Sequence, residues 1–152
     1  CHFIDEQIKE ACAAGAKVLH GGTFSGAFFA PTVVADVPPN ARLFQQESFG
    51  PVASLIRARN FDHALELAND TRYGLSAAVI TNDLQKAMRF ALGARAGMVH
   101  INGPTAYDEP HAPMGGIGDS GIGGRDSGYY NLHEMTELKW ITIQLGERPM
   151  PL

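Results

Sequence analysis

A chain of 152 residues, 45% hydrophobic and 18% charged, has the make-up of one globular domain and should bury roughly 68–70% of its unfolded surface. Its net charge of −4, with acidic and basic residues mixed along the chain, argues against a nucleic-acid partner, and no apolar run is long enough to span a membrane. Cys1 and Cys12 make neither a disulfide framework nor a metal cluster, and no signal peptide is visible, so the expected setting is the reducing cytoplasm.

In chain order, "FIDEQIKEACAA" (3–14) carries Ile4, Ile8, Ala11 and Cys12 at helical spacing, which predicts a helix closed by Gly15 and puts Cys12 on a core stripe. "AKVLHGG" reads as a short strand ending in a glycine turn. "FFAPTVVADV" is a β-branched run interrupted by Pro31, which marks an edge strand or a strand start. "PPNAR" is a turn, "LFQQESFG" follows without an assigned element, and "VASLIRA" after Pro51 has the pattern of a buried strand. "NFDHALELANDTRYG" predicts a helix capped by Asn60 or Asp62, with Gly74 past its end. "LSAAVIT" is a strand. "NDLQKAMRFALGARAG" predicts a second helix, capped by Asp83, striped by Leu84, Ala87, Met88, Ala91 and Leu92, and stopped by Gly97. "MVHIN" is a strand, and His100 on it reads as a hydrogen-bonded core histidine. A Gly/Pro loop covers 103–128, a helical turn 129–135, a strand "ELKWITIQ" follows, and a tail ends the chain. The final strand is apolar on both faces (Leu138 and Trp140, Ile141 and Ile143) and so calls for a partner surface. Alternation of helix and strand over residues 3–102 predicts an α/β fold with a mainly parallel sheet.

Gly116-Ile-Gly-Asp-Ser-Gly121 matches the dinucleotide fingerprint G-x-G-x-x-G. That motif cradles a pyrophosphate only when it leaves a strand directly and opens a helix. Here the preceding strand ends near Asn102, and "IGGRDSGYY" follows instead of a helix. Seven of the 17 glycines fall in 115–128, so the segment reads as a shaped loop that needs positive φ and close backbone contacts.

Three stretches taken together, "QQESFGPV" (45–52), "LANDTRYGLSAAVITND" (67–83) and "HAPMGGIGDSGIGGR" (111–125), followed by "TELKWITI", resemble the C-terminal third of the NAD(P)-dependent aldehyde dehydrogenase superfamily, from Ile4 to about Gln144. "VHINGPTAYDEPHAPMGG" and "SGIGGR" resemble the subgroup that oxidises aromatic aldehydes such as vanillin, salicylaldehyde and benzaldehyde. The resemblance implies an aldehyde dehydrogenase catalytic-domain portion over 1–135, carrying the Gly-rich loop 103–128, and an oligomerisation strand with its tail over 136–152. It also implies a covalent reaction. A cysteine thiolate attacks the aldehyde, hydride passes to the nicotinamide of NAD or NADP, and a glutamate-activated water hydrolyses the thioester. Nucleophile and general base are expected upstream of Cys1, so this chain carries no catalytic residue and is expected to be an inactive fragment.

By the same resemblance, Glu47 accepts hydrogen bonds from the nicotinamide ribose hydroxyls. Phe49 packs near the nicotinamide, with plain core packing as the alternative, and Gly50-Pro51 turn the chain. Thr105, Tyr107 and Met114 help line the substrate funnel, Met114 standing where the family usually has Phe. The extra glycine at 123–124 leaves the match of Arg125 open by one residue. Residues 137–145 are expected to join the sheet of a neighbouring subunit in a homo-oligomer, with Trp140 as an anchor. A stand-alone interaction module of the same fold, or an aliphatic or semialdehyde dehydrogenase fragment, are the other readings. No metal is expected.

Overall fold

The computed structural model describes residues 1–146. The helix expected at the start is α1 (His2–Ala13), and Gly15 follows its end with φ +108°. Its Ile4, Ile8 and Ala11 join Ala16, Val34, Val37, Ala41 and Leu43 in one buried cluster, with Cys12 half-buried against it. Three strands lie beneath α1 in the order β1 (Lys17–His20), β4 (Thr32–Ala35), β5 (Val52–Leu55), with β1 antiparallel and β5 parallel to β4. Pro31 stands immediately before β4, which is flanked on both sides, so it marks a strand start and not an edge. β2 (Phe24–Ser25) and β3 (Phe28–Phe29) form a small hairpin in which Phe24 and Phe29 stack at 5.7 Å.

The segment left unassigned in the sequence holds a single helical turn, α2 (Arg42–Gln45), seated by burial of Leu43. One turn has no periodicity to read; the Arg42–Glu10 ion pair and the buried cluster fix it instead. α3 (Phe61–Asn69) is capped by Asn60, whose side-chain oxygen accepts from the His63 N–H, so Asn60 and not Asp62 is the cap. The helix ends at Asp70, and Gly74 belongs to the next strand, β6 (Tyr73–Gly74).

β7 (Ser76–Val79), α4 (Leu84–Gly93) and β8 (Met98–Ile101) form a β-α-β unit with parallel strands. Asp83 caps α4 through the N–H groups of Gln85 and Lys86. α4 stops at Gly93, before Gly97, and its buried line is Ala87 and Phe90; Leu84, Met88 and Leu92 of the expected stripe face outward. The helix has two apolar lines, and among the described residues the two-stranded sheet covers one of them. The Asn102 amide fixes the exit of β8 by bonding both the N–H and the carbonyl of Thr81, at 2.8 and 3.0 Å, from a backbone at φ +57°.

The long loop contains β9 (Ile117–Gly118), antiparallel to β6, and a bridge between Met114 and Asp126. α5 (Tyr130–Glu134) is the expected helical turn. The strand expected over "ELKWITIQ" does not form: residues 136–145 have no regular structure and are exposed, Leu138 and Trp140 almost completely so. A strand exists only as half of a ladder, and no segment among the described residues pairs with this one. From residue 147 on, the expected tail lies outside the described residues.

Gln7 on α1 is 0% exposed, and neither its amide oxygen nor its nitrogen has a hydrogen-bond partner. A buried unpaired amide costs about 1–3 kcal/mol. Gln7→Leu is therefore expected to raise stability by about 1 kcal/mol or more, read as a higher urea midpoint; a lower midpoint would show that the amide is satisfied in solution.

The Asp83 carboxyl is held below the usual carboxylate range, chiefly by the Lys86 backbone N–H. A depressed folded-state pKa means that the cap's contribution is complete above the unfolded value and is lost as pH falls through the folded one. Asp83→Asn keeps the accepting oxygen but does not titrate at acid pH, so it is expected to flatten the loss of stability on acidification below pH about 4, measured as unfolding midpoint against pH.

Candidate functional site

The glycines of the long loop are used for contact between backbones. A β-carbon on Gly97, at the foot of β8, would lie 1.7 Å from the Gly115 carbonyl oxygen; one on Gly116 would lie 2.3 Å from the Ser120 carbonyl, and one on Gly121 would lie 2.1 Å from that of Gly116. Gly118, at φ +58°, packs on the Arg72 carbonyl, and the Gly74 N–H donates to Ser120 Oγ at 3.1 Å. No helix follows Gly121 until α5, so the G-x-G-x-x-G match is a packed knot and not an open phosphate cradle. Met114 and Asp126 exchange two backbone hydrogen bonds across the loop, of 2.9 and 2.7 Å. Arg125 Nη1 donates to the carbonyls of Gly116 and Gly124 at 3.2 and 2.9 Å, closing the knot.

Glu47 lies just beyond α2 and is exposed. It lines a cavity of about 310 Å³ with Phe44, Tyr73, Leu75, Ser76 and Ser120, and a second of about 420 Å³ with Phe3, Gln45 and Arg72. Among the described residues nothing hydrogen-bonds its carboxylate or pairs with it, so both oxygens remain open as acceptors. Phe49 is 90% exposed with φ +50°. It takes no part in the core formed by the described residues, and holding a phenylalanine in the left-handed region costs roughly 1–2 kcal/mol. Gly50 packs closely on α1: a β-carbon there would meet Ile4 Cδ1, the end of a side chain able to turn aside, at 2.2 Å.

The residues expected to line the substrate funnel divide between two cavities. Tyr107 borders one of about 300 Å³ with Met98, Val99, His100, Asp108 and Glu109. Met114 borders another of about 220 Å³ with Arg125 and Glu134. Thr105 is exposed and lines neither. The Tyr107 hydroxyl donates to Glu109 Oε1, and this carboxylate pushes the phenol above its usual range. Its ring meets that of His100 edge-on, with centroids 6.2 Å apart. His100 is half-buried, but its Nε2 is buried without a partner, so the expected hydrogen-bonded core histidine is not found. The described residues hold no cluster of three or more metal-ligating side chains, and none of their helices is long and apolar enough to cross a membrane.

Residues 2–141 match the model of the aldehyde dehydrogenase family. The chain belongs to that family. This aldehyde dehydrogenase chain is 40% identical over 145 residues to vanillin dehydrogenase of Pseudomonas fluorescens, covering 95% of the chain and 30% of that relative. It is 41% identical over 136 residues to an NAD(+) benzaldehyde dehydrogenase of Pseudomonas putida, covering 90% of the chain and 28% of the relative. Its fold superposes with a TM-score of 0.88, at 39% identity, on a salicylaldehyde dehydrogenase from Pseudomonas putida G7 complexed with salicylaldehyde, covering 98% of the chain and 31% of that structure. The α/β fold is thus that of an aldehyde dehydrogenase catalytic domain, and the chain spans about 30% of the length of the curated relatives it matches.

Two polar side chains of this aldehyde dehydrogenase chain were not singled out in the sequence. Asn69 donates to the Gly93 carbonyl and accepts from the Arg95 N–H, at 2.9 and 2.7 Å, tying the end of α3 to the end of α4. Ser120 borders both the Glu47 and the Met114 cavities. An Asn directly after a helical stripe and a Ser inside a glycine run are signals of side chain–backbone bonding that could have flagged both.

Gly97→Ala is expected to displace the loop and cost about 3 kcal/mol. Gly103→Ala should be nearly neutral, since its new carbon meets only His100 Cβ, at 3.7 Å. Urea unfolding together with limited proteolysis within 103–128 reads both; equal behaviour of the two variants would remove the interlock.

Proposed function

We propose that this chain is the C-terminal part of an NAD(P)-dependent aldehyde dehydrogenase that oxidises aromatic aldehydes to carboxylic acids, with residues 1–135 completing the catalytic domain and 136–152 serving assembly. The observation that carries the reading is the Glu47 carboxylate, unpaired and lining two cavities beside the glycine knot. Two open acceptor oxygens fit a vicinal diol, and a hydrogen bond to a charged group contributes roughly 1.5–3 kcal/mol. The likeness to vanillin and benzaldehyde dehydrogenases supports the aromatic substrate.

Bound NAD or NADP supplies the hydride acceptor. Glu47 takes its nicotinamide ribose, and Phe49, held out of the core, offers its ring to the nicotinamide side. Tyr107, Thr105 and Met114 bound the aldehyde's approach from the loop. Nucleophile and general base lie outside this chain, which is inactive alone. Leu138 to Leu145 are exposed and apolar at alternate and adjacent positions; they pair with the sheet of a second subunit, where backbone hydrogen bonds supply affinity.

The full-length enzyme is expected to reduce NAD or NADP with benzaldehyde or vanillin, and the isolated chain to be inactive. Glu47→Gln is expected to lower kcat/KM by about tenfold or more and to weaken coenzyme binding; unchanged turnover and unchanged coenzyme affinity would refute the role given to Glu47.

A further inference from the structure

The cavity beside Tyr107 has a marked charge bias. Its polar lining is acidic, Asp108 and Glu109, with His100 beneath; no Lys or Arg borders it. The rest of its wall, Met98, Val99, Ala112 and Pro113, is apolar. Glu109 is half-buried, takes the Tyr107 hydroxyl on one oxygen, and has on the other only His111, whose Nδ1 stands 3.8 Å away on a well-exposed side chain. Tyr107 is oriented in turn by the edge-on ring of His100. A volume of about 300 Å³ is at the lower end for a small-molecule site and suits a single substituted ring.

Resting on the aromatic-aldehyde reading above, we propose that Glu109 is a specificity-determining residue that makes this cavity favour aldehydes with a neutral, hydrogen-bond-donating ring substituent and reject those carrying an anionic group. The chemistry is direct. A phenolic hydroxyl meets a carboxylate acceptor already oriented by Tyr107, and a hydrogen bond to a charged group is stronger than one between neutral partners. A substrate carboxylate or phosphate would be set against a like charge next to an apolar wall, where water and salt screen the repulsion only in part. A site built to bond a hydroxyl discriminates against analogues that lack it far more sharply than one that only measures size. Semialdehydes, which carry a carboxylate besides the aldehyde, are disfavoured by the same device.

The test is steady-state kinetics of the full-length enzyme on three aldehydes of one ring scaffold, benzaldehyde, 3-hydroxybenzaldehyde and 3-carboxybenzaldehyde, with neutral 3-carbamoylbenzaldehyde as the size control for the carboxylate. The expected wild-type order of kcat/KM is hydroxy, then unsubstituted, then carboxy, with about tenfold between the first and the last. Glu109→Gln should raise the carboxy-to-hydroxy ratio about tenfold, and added salt should raise it in the wild type without any substitution. Tyr107→Phe, which removes the hydroxyl bonded to Glu109 and leaves the charge, should keep the rejection of the carboxy substrate. Equal use of the hydroxy and carboxy substrates by an enzyme that turns over benzaldehyde would overturn this inference and leave the aromatic reading standing. So would a ratio that neither Glu109→Gln nor salt moves. No turnover of any of the three would overturn both.

Discussion

The carbonyl of Gly115 rests where a side chain on Gly97 would have to be, and the arrangement of the site follows from that one approach of backbone to backbone. It brings the long loop down onto the foot of β8. The loop then folds on itself through Gly116, Ser120 and Gly121 and reaches β6 through β9. Close packing without side chains is stiff: no rotamer is available to absorb a shift, and several carbonyls serve as walls. Arg125, with its guanidinium on two of those carbonyls, replaces the apolar core that such a loop does not have.

On this knot the candidate coenzyme and substrate regions share a wall. Ser120 faces the Glu47 cavity on one side and the Met114 cavity on the other, and its hydroxyl accepts from Gly74 on the strand between them. A displacement of the loop therefore reaches both cavities. Phe49 shows the same economy on a smaller scale. A phenylalanine held at positive φ with its ring outside the core is a conformation that surrounding structure must enforce, and such outliers gather where a chain has a task beyond folding.

Elements with several turns or a cap were legible in the sequence. α1 follows from Ile4, Ile8 and Ala11, α3 from a cap at Asn60 or Asp62, and α4 from Asp83, because spacing and capping are local physics. What failed was also physical. α2 is one turn long and is held by the burial of its own Leu43 and by Glu10 of α1. The outward line of Leu84, Met88 and Leu92 looked like core because periodicity shows that a helix has an apolar side, not which of two adjoining lines a narrow sheet will cover. Residues 137–144 have every intrinsic mark of a strand, yet strand formation depends on a partner, which is a property of another segment. In the candidate site, Glu47 is singled out by its flanking Phe49-Gly50-Pro51. Ser120 and Glu109 are not, since their surroundings come from a partner 46 residues away in one case and from the walls of a cavity in the other.

Sequence alone determined the family, the α/β alternation, the Asp83 cap and the exclusion of a Rossmann cradle at Gly116–Gly121, because each of these is written in residue identity at short spacing. Tertiary structure alone decided which carbonyls the glycines pack against, that Phe49 stands outside the core of the described residues, and that Tyr107 and Met114 border separate cavities, neither of them lined by Thr105. Those facts depend on distances between segments far apart in the chain, which close only when the apolar faces of α1 and α4 are buried and the loop is drawn in behind them.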